Sequence, residues 1–268
     1  MNILEEIYNY KLDFVRRAKI LRSLDELIDQ SNTIKKKEFE FSAKLKTTDK
    51  INIIGELKKA SPSAGNIIDD NIDLMEIAKT YDDIGVSCFS ILTDEKYFNG
   101  SLNDLINLRK NTKTPILRKE FIVDEYQVYE AFISGADCIL IILSMIDLDL
   151  AKRIENVAIS LGLDVIIEVH NEKEINDAIK FNSNLIGINN RNLKDFTVDI
   201  NNAIRLANSI ETDKILISES GINSKSDINQ TITNSSIRTF LIGESLMRSK
   251  DIKTKFNNLI NKTINKIV

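Results

Sequence analysis

Two prolines, nine glycines, two cysteines, one histidine and no tryptophan are spread over 268 residues, and each scarcity closes off a class of protein. Cys88 and Cys138 each lie inside an apolar strand-like run, so buried, reduced thiols are expected in place of a disulfide framework. His170 alone cannot supply a multi-histidine metal centre, and no CxxC pair or serine-nucleophile motif accompanies it, so no metal ligand set is expected. No stretch approaches the roughly 18 apolar residues of a membrane span. The N-terminal MNILEEIYNYKLDF is acidic and amphipathic where a signal peptide would be basic and then apolar, and a cytoplasmic location is expected. A net charge of −4, from 36 basic and 40 acidic side chains, argues against a general binder of nucleic acid or anionic membrane. An anionic ligand would have to be met by a local cationic site.

What is present is a 43% hydrophobic chain, enough to bury a sizeable core. Residues 1–46 read as helical: Ile3, Ile7, Tyr10 and Phe14 recur at helical spacing, and Ser23 with Glu26 makes a capping box for a second helix. This segment is expected to be an extension packed on the domain formed by residues 47–268, with Asn32 to Glu38 as a charged connector. From residue 47 onward, β-like runs alternate with amphipathic helical patterns. The runs are Asn52 to Glu56, Val86 to Leu92, Pro115 to Lys119, Cys138 to Leu143, Val165 to Val169, Leu185 to Asn189, Ile215 to Glu219 and Thr239 to Gly243. Eight such strands close a parallel (β/α)8 TIM barrel, and the alternation favours one barrel over two domains. Helical stripes between them include Leu74, Ile77, Ala78 and Tyr81 before Gly85, and Ile154, Val157, Ala158 and Leu161 before Gly162. Asp124 with Gln127 is expected to cap a further helix, and the last helix carries Ile252, Phe256, Leu259, Ile260 and Ile264. Pro62 and Pro115 fall in a loop and at a strand start, where a missing N–H does little harm.

Barrel enzymes build their sites at the C-terminal ends of the strands, and polar residues collect there in this sequence. Glu56 and Lys58 close the first run, Lys119 the third, Glu168 the fifth, Asn189 with Arg191 the sixth, and Glu219 the seventh. One charged residue at a strand end is usually just leaving the core for water. Five strand ends aimed at one mouth are better explained by joint function, with Lys58, Lys119 and Arg191 interleaved among Glu56, Glu168 and Glu219 so that each tunes its neighbours' proton affinity. The turns Ser220-Gly221-Ile222 and Gly243-Glu244-Ser245 follow strands seven and eight, where barrels often bind phosphate through backbone N–H groups. Glu244 would then have to turn its carboxylate away.

The motifs GELKKASPSAG, SILTDEKYFNGS, PILRKEFIVDEYQ, IIEVHN, IGINNRNL, ISESGI and FLIGESLMR, in this order and spacing, resemble the indole-3-glycerol phosphate synthase family over nearly the whole chain. The resemblance implies a cofactor-free lyase of tryptophan biosynthesis that acts on a small phosphorylated substrate. Ring closure of 1-(2-carboxyphenylamino)-1-deoxyribulose 5-phosphate would release carbon dioxide and water. By resemblance, Lys119 is the general acid on the ketone oxygen. Glu56 and Asn189 position and stabilise the cationic intermediate and the leaving hydroxyl. Glu168 and Lys58 share the acid and base of the dehydration, and Glu219 belongs to the same catalytic set. Lys58, Ser61, Ser220, Gly221 and Gly243, with Glu244 in the same turn, match positions near the phosphate. Arg191 matches one facing the substrate carboxylate, while Phe98, Phe121 and Leu193 sandwich the aromatic ring. Ordinary packing is the plainer reading of these three apolar residues.

Two positions depart from the family pattern: Ala64 where Lys is frequent, which would weaken attraction for phosphate, and Glu120 where Asp is usual. The segment Ser224 to Asn234 is also more polar than its counterpart. Two other functions use the same features. A phosphate-sugar barrel such as phosphoribosylanthranilate isomerase would share the glycine turns, but it rests on a Cys base and an Asp acid. A catalytically silent barrel that binds a phosphorylated ligand would have no need of Lys58, Lys119 and Glu168 together. The chain is expected to be a monomer, with a weak oligomer as the alternative, and to have no nucleic-acid or membrane partner.

Overall fold

The computed structural model describes residues 3–46, 50–62, 65–67, 73–192 and 196–260. Helices α1 (Ile3–Leu21), α2 (Leu24–Asn32) and α3 (Glu40–Leu45) precede strand β1 (Asn52–Leu57), after which β2 (Ala60–Ser61) and β3 (Gly65–Asn66) form a small antiparallel hairpin. Next come α4 (Leu74–Asp83), β4 (Cys88–Leu92), α5 (Glu95–Phe98), α6 (Leu102–Asn111), β5 (Ile116–Lys119), α7 (Tyr126–Ile133), β6 (Cys138–Ile142), α8 (Leu148–Leu161) and β7 (Asp164–Val169). The remainder is α9 (Glu172–Ala178), β8 (Leu185–Asn189), α10 (Asn201–Asn208), β9 (Ile215–Glu219), α11 (Lys225–Asn234), β10 (Thr239–Ile242), α12 (Glu244–Met247) and α13 (Ile252–Ile260). β1 pairs in parallel with both β10 and β4, and the order β1-β10-β9-β8-β7-β6-β5-β4 closes into an eight-stranded barrel. The chain is therefore a TIM barrel, its strands within two residues of the runs read from the sequence.

The period of two along each strand sorts side chains into two shells. One buried cluster, with Ile54, Leu117, Ile166 and Ile217, fills the barrel interior. Two residues further along the same strands stand Glu56, Lys119, Glu168 and Glu219, so an apolar floor supports a polar rim. The alternate residues pack outward against the helices, among them Ile53, Ile116, Ile167 and Leu216.

The N-terminal helices reach both ends of the barrel. Ile3, Leu4 and Ile7 of α1 line the mouth, and α2, held by the Ser23–Glu26 capping box, lies against α7. α3 sits under the floor: Phe41 and Leu45 join the interior cluster, the Ser42 N–H donates to Asp164 Oδ2 at 2.9 Å, and Asn52 Nδ2 donates to Leu45 O at 3.2 Å. The connector is more than a solvated charge run. Lys37 pairs with Asp137 at 2.7 Å, and its carbonyl lies so close to Gly162 that a Cβ there would collide with it. Gly162, at φ 77°, thus both ends α8 and lets the connector pass.

Two local expectations need correction. The buried stripe of α1 is Ile7, Lys11 and Val15, with Tyr10 and Phe14 only half-buried. A lysine occupies the core side because carboxylates meet it there, as described below. The N-cap position of α7 is Glu125, whose side chain makes no cap bond; Asp124 Oδ1 accepts from Tyr126 N at 2.9 Å from one residue earlier, and the Gln127 side chain reaches back to the N–H of Val123 rather than to Asp124. Ile264 lies outside the described residues.

Candidate active site

A cavity of about 310 Å³ opens at the C-terminal ends of the strands. Glu56, Lys58, Ser61, Lys119, Glu168, Asn189 and Arg191 line it, as do Ser220, Gly221, Gly243 and Glu244 of the last two turns. Two connected groups of polar side chains face each other across its base.

The first is a chain of alternating charge. Lys58 Nζ lies 2.5 Å from Glu56 Oε1, Lys119 Nζ lies 3.5 Å from Glu56 Oε2, and Lys119 Nζ donates to Glu219 Oε2 at 2.7 Å. Burial by itself would raise the Glu56 carboxyl, but the two lysines hold it below the usual range. Burial likewise opposes the Lys119 ammonium, and Glu219, Glu56 and Glu168 together outweigh it, so Lys119 stays firmly protonated. Glu219 is fully buried, with Oε1 left without a hydrogen-bond partner. Burial, with Glu168 and Glu56 adding to it, outweighs the pull of Lys119 and lifts this carboxyl to about 7.

The second group is centred on Glu168. Its Oε1 accepts from Asn189 Nδ2 at 3.2 Å and lies 3.2 Å from His170 Nε2. Burial again opposes the charge, but His170, Lys119 and Asn189 bring this carboxyl down to about 2. Asn189 Oδ1 in turn accepts from Ser220 Oγ at 2.9 Å and from the Arg191 N–H at 3.0 Å, which ties the eighth strand's end to the Ser220 turn.

Two glycines make room for these acids. A Cβ at Gly187 would collide with Glu219 Oε1, and one at Gly243 would collide with Glu56 Oε1. The other walls follow from the loops. Ser220 and Gly221 are successive left-handed residues at φ 66° and 82°, and Ser245 Oγ donates to Ile222 O at 2.9 Å, joining the last two turns. The Glu244 carboxylate is paired with Arg248, 3.1 Å from Nε. Phe98 and Phe121 add an apolar wall, their tilted rings packed against each other with centroids 6.0 Å apart, so they do not sandwich a third ring between them.

The indole-3-glycerol phosphate synthase family model matches residues 4–259. The chain belongs to the indole-3-glycerol phosphate synthase family. It is 42% identical over 253 residues to the indole-3-glycerol phosphate synthase of Caldanaerobacter subterraneus subsp. tengcongensis, covering 94% of this chain and 96% of that one. To the enzyme of that name from Prochlorococcus marinus subsp. pastoris it is 39% identical over 266 residues, covering 97% and 90%. Among solved structures, a thiamine phosphate pyrophosphorylase from Pyrococcus furiosus superposes with a TM-score of 0.58 at 12% identity, over 82% of this chain and 98% of that one. That likeness shows the barrel alone.

Within this synthase-family barrel, sequence reasoning missed a buried charge cluster beside the cavity. Lys11 of α1 is 1% exposed and pairs with Asp94 at 2.7 Å and Glu120 at 2.8 Å, while Thr93 Oγ1 donates to Glu120 at 2.8 Å. Asp94 also caps α5, which carries Phe98, and Glu120 directly follows Lys119. The helical spacing of Ile7, Lys11 and Val15 was the available signal, but a lysine on an apolar stripe ordinarily means solvent. His170 was set aside as a metal ligand and missed as the neighbour of Glu168. Leu193 and Ala64 lie outside the described residues. No helix among those described is long and apolar enough to cross a membrane.

Proposed function

We propose that the chain closes the indole ring of indole-3-glycerol phosphate from 1-(2-carboxyphenylamino)-1-deoxyribulose 5-phosphate through the residues of this cavity. The observation that carries the assignment of roles is Lys119, a half-buried ammonium held at 2.7 Å by Glu219 and lining the mouth with Glu56 beside it. As the ring carbon bearing the carboxylate attacks the ketone carbon, the ketone oxygen becomes an alkoxide. An alkoxide is basic enough to take a proton even from an ammonium whose affinity for it is raised. A positioned acid of this kind contributes about 10²- to 10⁴-fold. The carbon–carbon bond forms, positive charge develops on the anilinic nitrogen, and the Glu56 carboxylate in the same cavity stabilises it. Loss of carbon dioxide then returns the bonding electrons to the ring. Dehydration removes the new hydroxyl as water together with a proton from the adjacent carbon, which requires one acid and one base, the roles given to Lys58 and Glu168.

The turns at Ser220-Gly221 and Gly243-Glu244, with Ser61 and Lys58 opposite, suit the phosphate through backbone N–H groups and one cation. Arg191, whose Nη1 is steadied by Phe196 O at 3.2 Å, suits the planar carboxylate, and the apolar wall of Phe98 and Phe121 suits one face of the aromatic ring. Residues 1–46 are a helical extension of one catalytic barrel domain, and the chain acts as a cytoplasmic monomer. An isomerase built on a cysteine base is disfavoured because Cys88 and Cys138 are both fully buried in the barrel floor, where burial pushes their thiols up.

Purified protein mixed with the carboxyphenylamino-deoxyribulose phosphate should develop indole fluorescence at a rate proportional to enzyme. Tight binding of the product without turnover by the folded chain would replace this reading with a silent binding barrel.

A further inference from the structure

His170 is the chain's only histidine, and no step above uses it. It follows Glu168 by two residues on β7 and its continuation, so both side chains leave the strand on the same face. The ring lies mostly buried between two carboxylates: Nε2 is 3.2 Å from Glu168 Oε1, and Nδ1 is 3.1 Å from Glu174 Oε2 on α9. Glu174 is itself fixed, because its Oε2 also accepts the backbone N–H of His170 at 2.8 Å and its Oε1 accepts from Asn171 Nδ2 at 2.5 Å. From α10, Asn202 Nδ2 donates to the carbonyl of His170 at 3.3 Å. Among the described residues, the charged groups paired with the ring are these two carboxylates.

A neutral imidazole has one N–H and one lone pair. Nδ1 is within hydrogen-bond reach of Glu174 Oε2, while Nε2 lies close to Glu168 Oε1 without an aligned hydrogen bond; either neutral tautomer would turn its lone pair toward an anion, whereas the imidazolium sets positive charge beside both. Geometry therefore selects the charged ring. Burial works against that charge, but Glu168 and Glu174 together outweigh it and raise the imidazole to about 10. Around Glu168, burial opposes the charge, Asn189 from β8 and His170 both lie at Oε1, Lys119 from β5 favours the carboxylate, and Glu219 from β9 is a neighbouring acid. Neither of these two contacts is made to Oε2.

We propose that His170 is a positioning residue that holds Glu168 as a carboxylate, so that Glu168 is the base of the dehydration and a lysine supplies the proton to the departing hydroxyl. This rests on the synthase reading and settles the division of labour between Glu168 and Lys58. In that step Glu168 Oε2 takes the proton from the carbon next to the hydroxyl-bearing carbon and the C–H electrons form the new double bond. The hydroxyl leaves as water with the proton from Lys58 Nζ. The proton gained by Glu168 and the one lost by Lys58 are exchanged with solvent before the next turnover, so the enzyme is regenerated. His170 never touches substrate.

A single histidine gives a single ring Cε1–H resonance, so the protonation of His170 can be followed by NMR in the unaltered protein without activity. The expected result is no titration up to about pH 8.5, and a Glu174→Gln variant that titrates at least one unit lower than the parent. A midpoint near 6.5 in the parent would overturn the proposal. Kinetically, His170→Asn should lose at least tenfold more turnover at pH 6 than at pH 8.5, with the acidic limb of the profile moved upward. A loss equal at all pH values would make His170 merely structural. If the parent itself fails to turn over the substrate, the synthase reading falls, and the NMR titration still reports whether the histidine is held charged.

Discussion

Lys119 Nζ and Glu219 Oε2 stand 2.7 Å apart in the barrel although the two residues are separated by 100 positions in the chain, and Gly187, on β8 between the strands of Glu219 and Glu168, leaves the space for the Glu219 carboxylate. The pair places a buried acid at the base of the cavity. Its neighbours then set how the mutations below divide between folding and turnover.

Replacing Lys119 with Ala should leave the fold intact and lower turnover by at least about 10²-fold, because it removes a proton donor used only in the transition state. Glu219, already raised to about 7, can take up a proton when its partner is gone, which limits the structural cost. Single-turnover indole formation measures this, and near-normal turnover would contradict the role.

The Arg191 side chain lines the cavity and, among the described residues, pairs with no carboxylate. If its contact with substrate is the same in ground and transition states, Arg191→Ala should raise KM more than it lowers kcat. Steady-state kinetics over a wide substrate range would show it, and a defect confined to kcat would assign Arg191 to the chemistry instead.

Gly187→Ala drives a methyl group into Glu219 Oε1 and against Ile166 Cγ2, 2.9 Å away. The far end of the Glu219 side chain is the part able to yield, and in moving it releases Lys119. Turnover is expected to fall at least about tenfold, one decade being about 1.4 kcal/mol of barrier, with only a small change in the urea midpoint. A variant of full activity would show that the Lys119–Glu219 distance does not matter.

Lys11→Met removes the cation shared by Asp94 and Glu120 and leaves two buried carboxylates facing each other. Breaking a buried ion pair this way costs about 3–5 kcal/mol. Urea unfolding should show that loss, and proteolysis should cut within α1 sooner than in the parent. A stability change under about 1 kcal/mol would mean the cluster is readily hydrated.

Stability should fall as pH rises from neutral. His170 rises from 6.5 to about 10 on folding, so its contribution is complete below pH 6.5 and is lost as pH climbs through 10. Glu219 rises from 4.5 to about 7, and its contribution is complete below pH 4.5 and lost as pH passes 7. Glu168 has the opposite sign, since it falls from 4.5 to about 2, and its contribution is present above pH 4.5 and lost as pH drops through 2. Urea midpoints of the parent should therefore decline between pH 7 and 9.5, and His170→Asn should flatten that decline. Equal slopes would mean that His170 is not charged in the fold.

The amino-acid sequence by itself determined the strands, because each is a short apolar run whose boundaries are set by local chemistry, and it determined the parity that puts Glu56, Lys119, Glu168 and Glu219 on the inward face. The seven family motifs are local as well, so the family was legible before any coordinates. Partnership was not. Whether Glu56 meets Lys58 alone or also Lys119, why Lys11 is buried, and what holds His170 depend on groups brought together by barrel closure and by the N-terminal helices. A burial pattern reads a lysine as solvent-facing, and only Asp94 and Glu120, 83 and 109 residues away in sequence, make its burial tolerable. The proton affinities at the mouth follow from the same cause: alternation along a strand fixes a direction, whereas a distance of 3 Å between charges is fixed only by packing.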